Sequence, residues 1–458
     1  MTDGSIDAIN GLPESWSIVC LGHIATSKGG FGFPIDRQGE KKGDYPFFKV
    51  SDMNLPGNEK LMRSSNNWID SLTLKALKAK TFPRSAIVFP KIGAALLTNK
   101  KRMLVRDSVI DNNVMAVVVT DERVCVPEYL YQWFLTLDLG RIANPGTVPS
   151  LTSSRLAEVS LPLPPAAEQR KIAAVLGLVQ RAIEQQERLI ALTTELKKAL
   201  LHKLFTEGLR GELQKQTEIG PVPESWEQRP LENAGEVVYG IQAAAASNLK
   251  PIGTMILTNK NITLDGKIVL EKINYFVLKT KRHHETVLKK GDLLFNWRSG
   301  SKEHVGKTAY FDLGGEFVHS SFILRIRPSD EVTGRYLFYY LNFLRESGFF
   351  LKRQTFSVNA KFNKSAINEL PTYLPGEEER QDIVTALDTV GKKLDALQAK
   401  SRLLEDLFRT LLHQLMTAQI RVNDLDLDAI PPQPIVEMSD GVALGANALV
   451  KNKKVVHN

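Results

Sequence analysis

The sequence has little cysteine and no long apolar segment. Only Cys20 and Cys125 occur in 458 residues, too few for a disulfide framework, so both are expected to be reduced thiols. No apolar run approaches the roughly 18 residues that a membrane span requires. Residues 1–10 lack the basic and apolar regions of a secretion signal. These absences predict a cytoplasmic protein that does not enter a membrane.

Familiar catalytic signatures are missing as well. We find no G-x-G-x-x-G, no Walker pattern, no Ser-His-Asp arrangement and no Asn/Asp-Pro-Pro-aromatic methyltransferase motif. The adjacent His283 and His284 make a poor metal site, because neighbouring side chains point apart and no cysteine is near. We therefore expect a chain that catalyses nothing alone and holds no cofactor or metal. Its net charge of +8 is a mild indication of a polyanionic partner.

The most informative feature present is an internal repeat. Residues 13–16, Pro-Glu-Ser-Trp, recur as residues 223–226, an offset of 210. Further along, an offset of 211 pairs Glu168 with Glu379 and Arg210 with Arg421. Such a period is far too long for a solenoid. It predicts two copies of a whole module.

Each copy opens with a segment of mixed secondary structure. Short β-branched or aromatic runs predict strands, and amphipathic runs predict helices. Strands are expected at 86–89, 114–119, 293–295 and 322–326, and helices at 127–137 and 335–344. The first part of each copy is therefore predicted to be an α+β globular domain.

Each copy continues into a long helix whose apolar residues recur at alternating steps of four and three, a heptad seam. The seam consists of Ile172, Leu176, Val179, Ile183, Ile190, Leu200 and Leu204 in the first copy, and Ile383, Leu387, Val390, Leu394, Leu397, Leu404, Phe408, Leu411 and Leu415 in the second. Gln186, Thr193 and Lys197 interrupt the first seam, which suggests register control or a wet edge. Two similar helices in one chain predict an intramolecular coiled coil. The alternative is that each helix packs on its own domain or on another subunit.

The ends of the helices and of the chain follow from the same comparison. Pro164 and Pro165 mark the start of the first helix, and Gly208 and Gly211 mark its end. The second Pro-Glu-Ser-Trp segment follows a long helix, whereas the first has none before it. If the copies are equivalent, the N-terminal segment should lie near the end of the second helix. Residues 423–458 are predicted to be a flexible tail.

This layout closely resembles the specificity subunit of type I restriction-modification systems, over residues 11 to 422. Its most specific segment is residues 160–172, Ser-Leu-Pro-Leu-Pro-Pro-Ala-Ala-Glu-Gln-Arg-Lys-Ile, whereas residues 371–383 of copy two have a weaker proline signature. The resemblance implies two target-recognition domains separated by two helices that form an antiparallel coiled coil. The implied segments are recognition domain 1 (1–160), the first helix (161–212), recognition domain 2 (213–371), the second helix (372–422) and the tail (423–458).

The resemblance also implies a function and partners. A specificity subunit recognises a bipartite double-stranded DNA target with a fixed spacer, and the two dissimilar domains imply an asymmetric target. Two modification subunits would methylate adenine with S-adenosylmethionine, and restriction subunits would use ATP and Mg²⁺. Apolar residues outside the seam could dock these partners or thicken the coiled-coil core, and we favour the core. They are Leu189, Leu192, Leu196, Leu403, Leu407 and Leu412.

Candidate DNA contacts are basic, hydroxyl and amide side chains in loops, which can bind phosphates or base edges. In copy one they are Lys28, Phe31, Lys91, Asn99, Lys100, Lys101, Arg102, Thr147, Ser150, Thr152 and Ser153. In copy two they are Lys281, Arg282, His283, Arg298, Ser301, Lys302, Lys307, Gln354, Thr355, Asn359 and Lys361. For every one of them an ordinary solvent-exposed role is the alternative.

Two other functions stay open at this point. Residues 300–308 could form the phosphate loop of an NTPase, although five residues rather than four separate the glycines and a strand, not a helix, is predicted to follow. Loss of nucleotide binding on changing Lys307 would favour this enzyme. The chain could also be a coiled-coil scaffold that binds DNA without regard to sequence.

The predicted helices allow a test of how the spacer is set. About 40 residues at 1.5 Å each give a rod of about 60 Å, and half-site spacing follows the separation of two recognition elements. A four-residue insertion near Thr193 is therefore expected to change the gap and to leave each half-site sequence unchanged. Mapping methylated adenines measures both. A changed half-site with an unchanged gap would contradict the prediction.

Overall fold

A computed structural model describes residues 11–242, 249–250, 252–353 and 360–424. The candidate contacts Gln354, Thr355 and Asn359, and the predicted tail beyond residue 424, lie outside the described residues. The chain divides into two compact units, which within the described residues are 11–180 with 406–424, and Arg181–Glu405. Each unit therefore holds one α+β domain together with parts of both long helices.

The first domain alternates short strands and helices. Its strands are β1 (Ser17–Cys20), β2 (Ala25–Gly29), β3 (Tyr45–Phe48), β4 (Leu61–Met62), β5 (Trp68–Ile69), β6 (Ile87–Pro90), β7 (Arg102–Leu104), β8 (Val109–Ile110), β9 (Val114–Val119) and β10 (Ser160–Leu163). Its helices are α1 (Leu21–Ile24), α2 (Ser71–Ala76), α3 (Ala94–Leu97), α4 (Pro127–Thr136), α5 (Leu139–Ile142) and α6 (Ser153–Ala157). The strands expected at 86–89 and 114–119 and the helix at 127–137 are confirmed.

The second domain follows the first long helix, α7 (Ala166–Glu207), and precedes the second, α12 (Glu377–Met416). Its strands are β11 (Gln214–Thr217), β12 (Gly220–Pro223), β13 (Glu227–Pro230), β14 (Gly235–Tyr239), β15 (Leu249–Lys250), β16 (Thr254–Leu257), β17 (Asn274–Phe276), β18 (Leu293–Asn296), β19 (Arg298–Ser299), β20 (Thr308–Tyr310), β21 (Phe317–His319), β22 (Ile323–Pro328), β23 (Ala360–Lys361) and β24 (Pro371–Leu374). Its helices are α8 (Lys281–His284), α9 (Glu331–Glu346), α10 (Phe349–Arg353) and α11 (Lys364–Asn368). The expected strands at 293–295 and 322–326 and helix at 335–344 are confirmed.

The two domains share one sheet plan, which confirms the α+β fold class and the internal repeat. The main sheet has the order β2-β9-β6-β7-β4 in the first domain and β14-β22-β18-β20 in the second. Strand β1 pairs with β10, just as β13 pairs with β24. In both copies a buried tyrosine on a helix, α4 or α9, holds this strand pair in place. Tyr129 donates to the Pro162 carbonyl at 2.7 Å, and Tyr336 donates to the Tyr373 carbonyl at 2.6 Å.

The long helices pair in antiparallel fashion within each unit. In the second unit, Leu204 and Phe205 near the end of α7 share a core with Ile383 near the start of α12. Further from that end, Gln186 Nε2 donates to the Leu397 carbonyl at 2.8 Å. As the α7 number rises the α12 number falls, which defines antiparallel packing. The buried Gln186 is thus satisfied by the facing backbone, which fits the role of register control.

The heptad seam is confirmed as the buried face of this pair. Every predicted seam residue is buried or half-buried, from Ile172 and Leu176 to Leu387 and Leu415. In the first unit, Ile172 and Leu176 share a core with Leu412 and Leu415. The helices therefore bury against each other the apolar stripe that either would expose alone.

One expectation about the helices is wrong. The off-seam leucines were expected to thicken the coiled-coil core, but Leu189, Leu192 and Leu196 on α7 are 49, 58 and 57% exposed. On α12, Leu403 is 70% and Leu407 45% exposed, and only Leu412 is buried. A two-helix pair has a narrow seam, so residues one step away from it stay in solvent.

A buried glutamate closes each unit. Glu168 is 5% exposed and binds the Arg421 guanidinium through contacts of 2.9 and 3.0 Å, and it also accepts from Trp16 Nε1 at 3.1 Å. Bonding to Glu168 raises the pKa of Arg421. The first Pro-Glu-Ser-Trp segment therefore does lie near the end of α12, as the repeat predicted.

An equivalent glutamate–arginine pair recurs in the second unit. Glu379 is 3% exposed and lies 3.5 Å from Arg210 Nε, while its Oε1 accepts from the Leu209 amide at 2.9 Å. Gly208, with φ of 63°, makes this possible, because a Cβ there would lie 2.8 Å from that same Oε1. Each closing pair combines the start of one copy's helix with the end of the other's.

Candidate nucleic-acid interface

Three separate segments of the first domain meet at one end of its main sheet. The Lys91 carbonyl accepts from the Leu151 amide, and the Gly93 amide donates to the Pro149 carbonyl, both at 2.8 Å. Nearby, the Ser27 hydroxyl on β2 donates to the Ser153 carbonyl at 3.5 Å. These bonds join the end of β2, the loop after β6 and the segment before α6, each of which carries predicted contacts.

We call the exposed and half-buried side chains at this place the first recognition surface: Lys28, Lys91, Ile92, Val148 and Thr152. Lys28 is exposed, and Lys91 Nζ lies over Gly29, where a Cβ would come within 2.6 Å of it. Ile92 and Val148 are 40 and 56% exposed. Ammonium groups suit phosphates, and apolar side chains suit the thymine methyl group.

The second domain has an equivalent site, which is held together by equivalent backbone hydrogen bonds. The Trp297 carbonyl accepts from the Phe362 amide at 2.7 Å, and Arg298 pairs with Lys361 in a two-stranded ladder. In the first domain the equivalent bridge joins Ile92 to Ser150. Arg298 therefore occupies the position of Ile92.

In both domains a glycine directly after the edge strand of the main sheet, β2 or β14, lets a neighbouring segment pack closely against the backbone. A Cβ at Gly30 would lie 2.1 Å from the Ile110 carbonyl oxygen, and one at Gly240 would lie 2.2 Å from that of Ser320. The missing side chain of Gly30 therefore leaves room for a neighbouring segment of the same chain.

We call the side chains at this end of the second domain the second recognition surface: Tyr239, Trp297, Arg298, Ser321 and Phe322. The Arg298 guanidinium lies 4.8 Å from the Trp297 ring centroid and 4.3 Å from that of Phe322. Its Nη2 donates to the Ser321 hydroxyl at 3.3 Å. Tyr239 packs edge-on against Trp297, with 5.5 Å between centroids.

The turn that carries Ser321 and Phe322 rests on a buried histidine. His319 Nδ1 lies 3.1 Å from the Ile323 carbonyl, which can only accept, so Nδ1 carries the proton. Burial lowers the pKa of His319 to about 3. The ring is therefore neutral at physiological pH and holds the turn in place.

Two predicted contacts are wrong because their ammonium groups are buried. Lys101 is 2% exposed, and its Nζ donates to Asn99 Oδ1 at 2.8 Å and to the Leu137 carbonyl. Lys307 is 4% exposed and donates to the Asn259 and Ile262 carbonyls, both at 2.6 Å. Burial lowers the pKa of both lysines. These lysines brace loops from within and do not meet a ligand.

The fate of Lys307 also contradicts the NTPase alternative. A phosphate loop needs its lysine free to reach the nucleotide and a helix directly after it. Here the Lys307 ammonium is held by two carbonyls, and the strand β20 follows. Residues 300–307 therefore form a loop between β19 and β20.

Other predicted contacts have local structural partners. Asn99, with φ of 58°, accepts from the Leu139 amide at 3.0 Å, and Arg102 donates to the Lys101 carbonyl at 2.9 Å. Lys100 bonds Asn54 Oδ1. His283 Nδ1 accepts from the Lys279 amide at 3.2 Å. The cluster 99–102 thus braces the domain.

The remaining predictions fall in two groups. Phe31 is half-buried, with its ring centroid 6.5 Å from that of Phe82. The following lie in exposed or half-exposed loops and short helices and stay predictions: Thr147, Ser150, Ser153, Lys281, Arg282, Ser301 and Lys302. Of Lys361 the structure describes the backbone ladder only.

Sequence reasoning missed the aromatic walls around Arg298. Trp297, which directly precedes Arg298, was not singled out. Phe322 was predicted as part of a strand, yet it is 42% exposed. An aromatic residue beside an arginine in a loop was the available signal for the first. For Phe322 there was none, because its nearness to Arg298 depends on the turn after β21.

Comparison with known families identifies the repeated module. The model of the type I restriction modification DNA specificity domain matches this chain twice, at residues 13–194 and 223–406. Both matches begin at the Pro-Glu-Ser-Trp segment and reach into a long helix. No helix within the described residues is both long and apolar enough to cross a membrane.

Two curated relatives come from Methanocaldococcus jannaschii. The putative type I restriction enzyme MjaX specificity subunit is 31% identical over 206 residues, covering 42% of this chain and 48% of its own length. The type I restriction enzyme MjaVIII specificity subunit is 23% identical over 288 residues, covering 61% and 66%. The chain thus spans about half to two thirds of these relatives.

Two solved structures share the fold. The S subunit of the type I restriction-modification system of M. genitalium aligns with a TM-score of 0.57 at 13% identity, covering 89% of this chain and 97% of the other. A chain from a study of complex assembly and conformational transition in a type I R-M system aligns with a TM-score of 0.53 at 18% identity, covering 88% and 98%. Both likenesses concern the fold.

The buried Lys101 gives a test of the bracing role by pH. Burial lowers its pKa from 10.5 to about 8 in the folded chain. Between these values the unfolded chain binds more protons, so Lys101 makes the free energy of unfolding rise with pH. Relative to Lys101→Met, the wild type should gain stability from about pH 8 to 10.5 in denaturant titrations. A difference that does not change with pH would mean that Lys101 is solvated.

Proposed function

Because the chain belongs to the type I restriction-modification DNA specificity family, we propose that it is the DNA sequence-recognition subunit of such a complex, acting in the cytoplasm. One observation carries the proposal: the two domains present equivalent surfaces with different side chains. At the equivalent ladder position the first domain has Ile92 and the second has Arg298. Different side chains at one position recognise different bases. The target is therefore bipartite and asymmetric.

In the complex, this chain recognises the target sequence and does not catalyse the reactions. Its recognition surfaces offer cations, hydroxyls and aromatic rings, which are groups that bind DNA. Burial raises the pKa of the Cys125 thiol to about 12, so this cysteine is no nucleophile at neutral pH. Adenine methylation with S-adenosylmethionine belongs to two modification subunits. Translocation and cleavage with ATP and Mg²⁺ belong to restriction subunits.

The exposed leucines on the long helices are the docking site for these partners. Leu189, Leu192 and Leu196 follow a spacing of three and four, so they form one stripe on α7. All three are about half exposed or more, at 49 to 58%. An apolar stripe in water is stabilised by a partner that covers it, and a helical segment of a modification subunit suits its shape.

Methylation mapping tests the recognition function. Methylated adenines are sequenced in cells that carry the modification subunits with or without this chain. We expect a bipartite, asymmetric motif with a fixed gap that disappears when the chain is removed. A continuous motif, or one unaffected by loss of the chain, contradicts the proposal. Purified complex that binds all duplexes equally would instead support the scaffold alternative.

A charged substitution tests the docking stripe. Leu192→Glu should abolish co-purification of the modification subunits, because the partner would have to bury a carboxylate. The matched control is Leu72→Glu, on helix α2, where the leucine is 76% exposed. Both variants should keep the unfolding curve of the wild type. If Leu192→Glu binds the modification subunits as tightly as Leu72→Glu does, the stripe is not their docking site.

A further inference from the structure

The side chain of Arg298, at the start of the short strand β19, is held by its neighbours. Its guanidinium lies over both the Trp297 ring and the Phe322 ring, at 4.8 and 4.3 Å from their centroids. A cation over an aromatic ring is attracted to it, and more strongly where water is excluded. The rings leave the planar group little freedom to rotate. Arg298 is thus preorganised before any ligand arrives.

The hydrogen bonds of this guanidinium are incomplete. Among the described residues, Nη2 donates to the Ser321 hydroxyl at 3.3 Å, and Nε is shielded from solvent without a partner. An arginine has five donors. A half-buried guanidinium with so few acceptors is suited to a ligand that supplies them along its outer edge.

The location favours a base edge over a phosphate as this ligand. Arg298 occupies the ladder position that Ile92 occupies in the first domain. Isoleucine cannot bind a phosphate, but it can contact the methyl group of thymine. If Ile92 and Arg298 contact the same part of the DNA in their two domains, that part is a base edge and not a phosphate.

We propose that Arg298 binds a guanine in the half-site of the second domain, with two parallel hydrogen bonds to O6 and N7. Guanine is the base that offers two acceptors side by side in the major groove, at the spacing of the guanidinium fork. Trp297 and Phe322 keep the fork in its plane. Ser321 sets the rotation of Nη2. This inference rests on the recognition function proposed above.

A modified base tests the contact without altering the protein. The target duplex is taken from methylation mapping, and each guanine of the second half-site is replaced in turn by 7-deazaguanine, which lacks N7. Binding by the complex with its modification subunits should fall about tenfold or more at one guanine. In Arg298→Lys the same replacement should cost little, because lysine lacks the fork. Equal losses for every duplex on changing Arg298 would indicate a phosphate contact and overturn the inference.

Methylation maps of variants provide the second test. In Arg298→Lys and Arg298→Ile the motif should be altered at that one guanine, while the first half-site and the gap stay the same. The control is Arg229→Lys, an exposed arginine on β13 that pairs with Glu227. If Arg298→Ile fails to assemble, Arg298→Lys and the 7-deazaguanine duplexes decide.

The outcomes separate this inference from the function on which it rests. If wild-type methylation shows no bipartite motif that depends on the chain, the recognition function itself fails. If the motif is bipartite but its second half-site has no G·C pair, or if Arg298→Lys keeps the motif at wild-type occupancy, only the role of Arg298 is refuted.

Discussion

The rest of the structure depends on the burial of one apolar stripe against another. Neither α7 nor α12 is expected to be stable alone in water with its apolar seam exposed. Each helix buries the seam of the other. Because they run in opposite directions, the end of one helix always meets the start of the other. The core that forms there also receives a tryptophan from a Pro-Glu-Ser-Trp segment, Trp16 or Trp226. Each recognition domain is thereby fixed to a helix end.

This arrangement separates the parts that hold the fold from the parts that recognise DNA. The helices, the closing glutamates and the buried tyrosines are the same in both copies, and so are the backbone bonds at the end of the main sheet. The side chains projecting from those bonds differ, as Ile92 and Arg298 show. A target can therefore change while the scaffold does not.

The sequence predicted the architecture well because the architecture is repeated and periodic. The offset of 211 identified Glu168 with Glu379 before any contact was known, and the heptads identified the buried face of both helices. The individual contacts were harder to predict. Lys101 and Lys307 look like surface lysines in a basic run, but each ammonium is bound by carbonyls far away in the sequence, that of Leu137 for Lys101 and those of Asn259 and Ile262 for Lys307. No local pattern announces such acceptors.

The error about the leucines and the omission of the aromatic rings around Arg298 share one cause. Whether Leu192 is buried depends on how many helices pack together, which a single helical pattern does not record. The stack on Arg298 likewise needs Phe322 from a turn two strands away. The exposure of Leu192 and the rings around Arg298 both depend on contacts between residues far apart in the sequence. Such contacts can be predicted from the sequence only where an internal repeat indicates them.

The reciprocal closing pairs bear on how such a chain could have arisen. Glu168 is bound by an arginine of the second copy, and Glu379 by one of the first. A single ancestral copy would have carried both the glutamate and the arginine yet could not have joined them within itself. Two identical copies could have closed each other as a homodimer with a palindromic target. Fusion of the two genes would then have let each surface diverge, and the proposed asymmetry of the target would follow from that divergence.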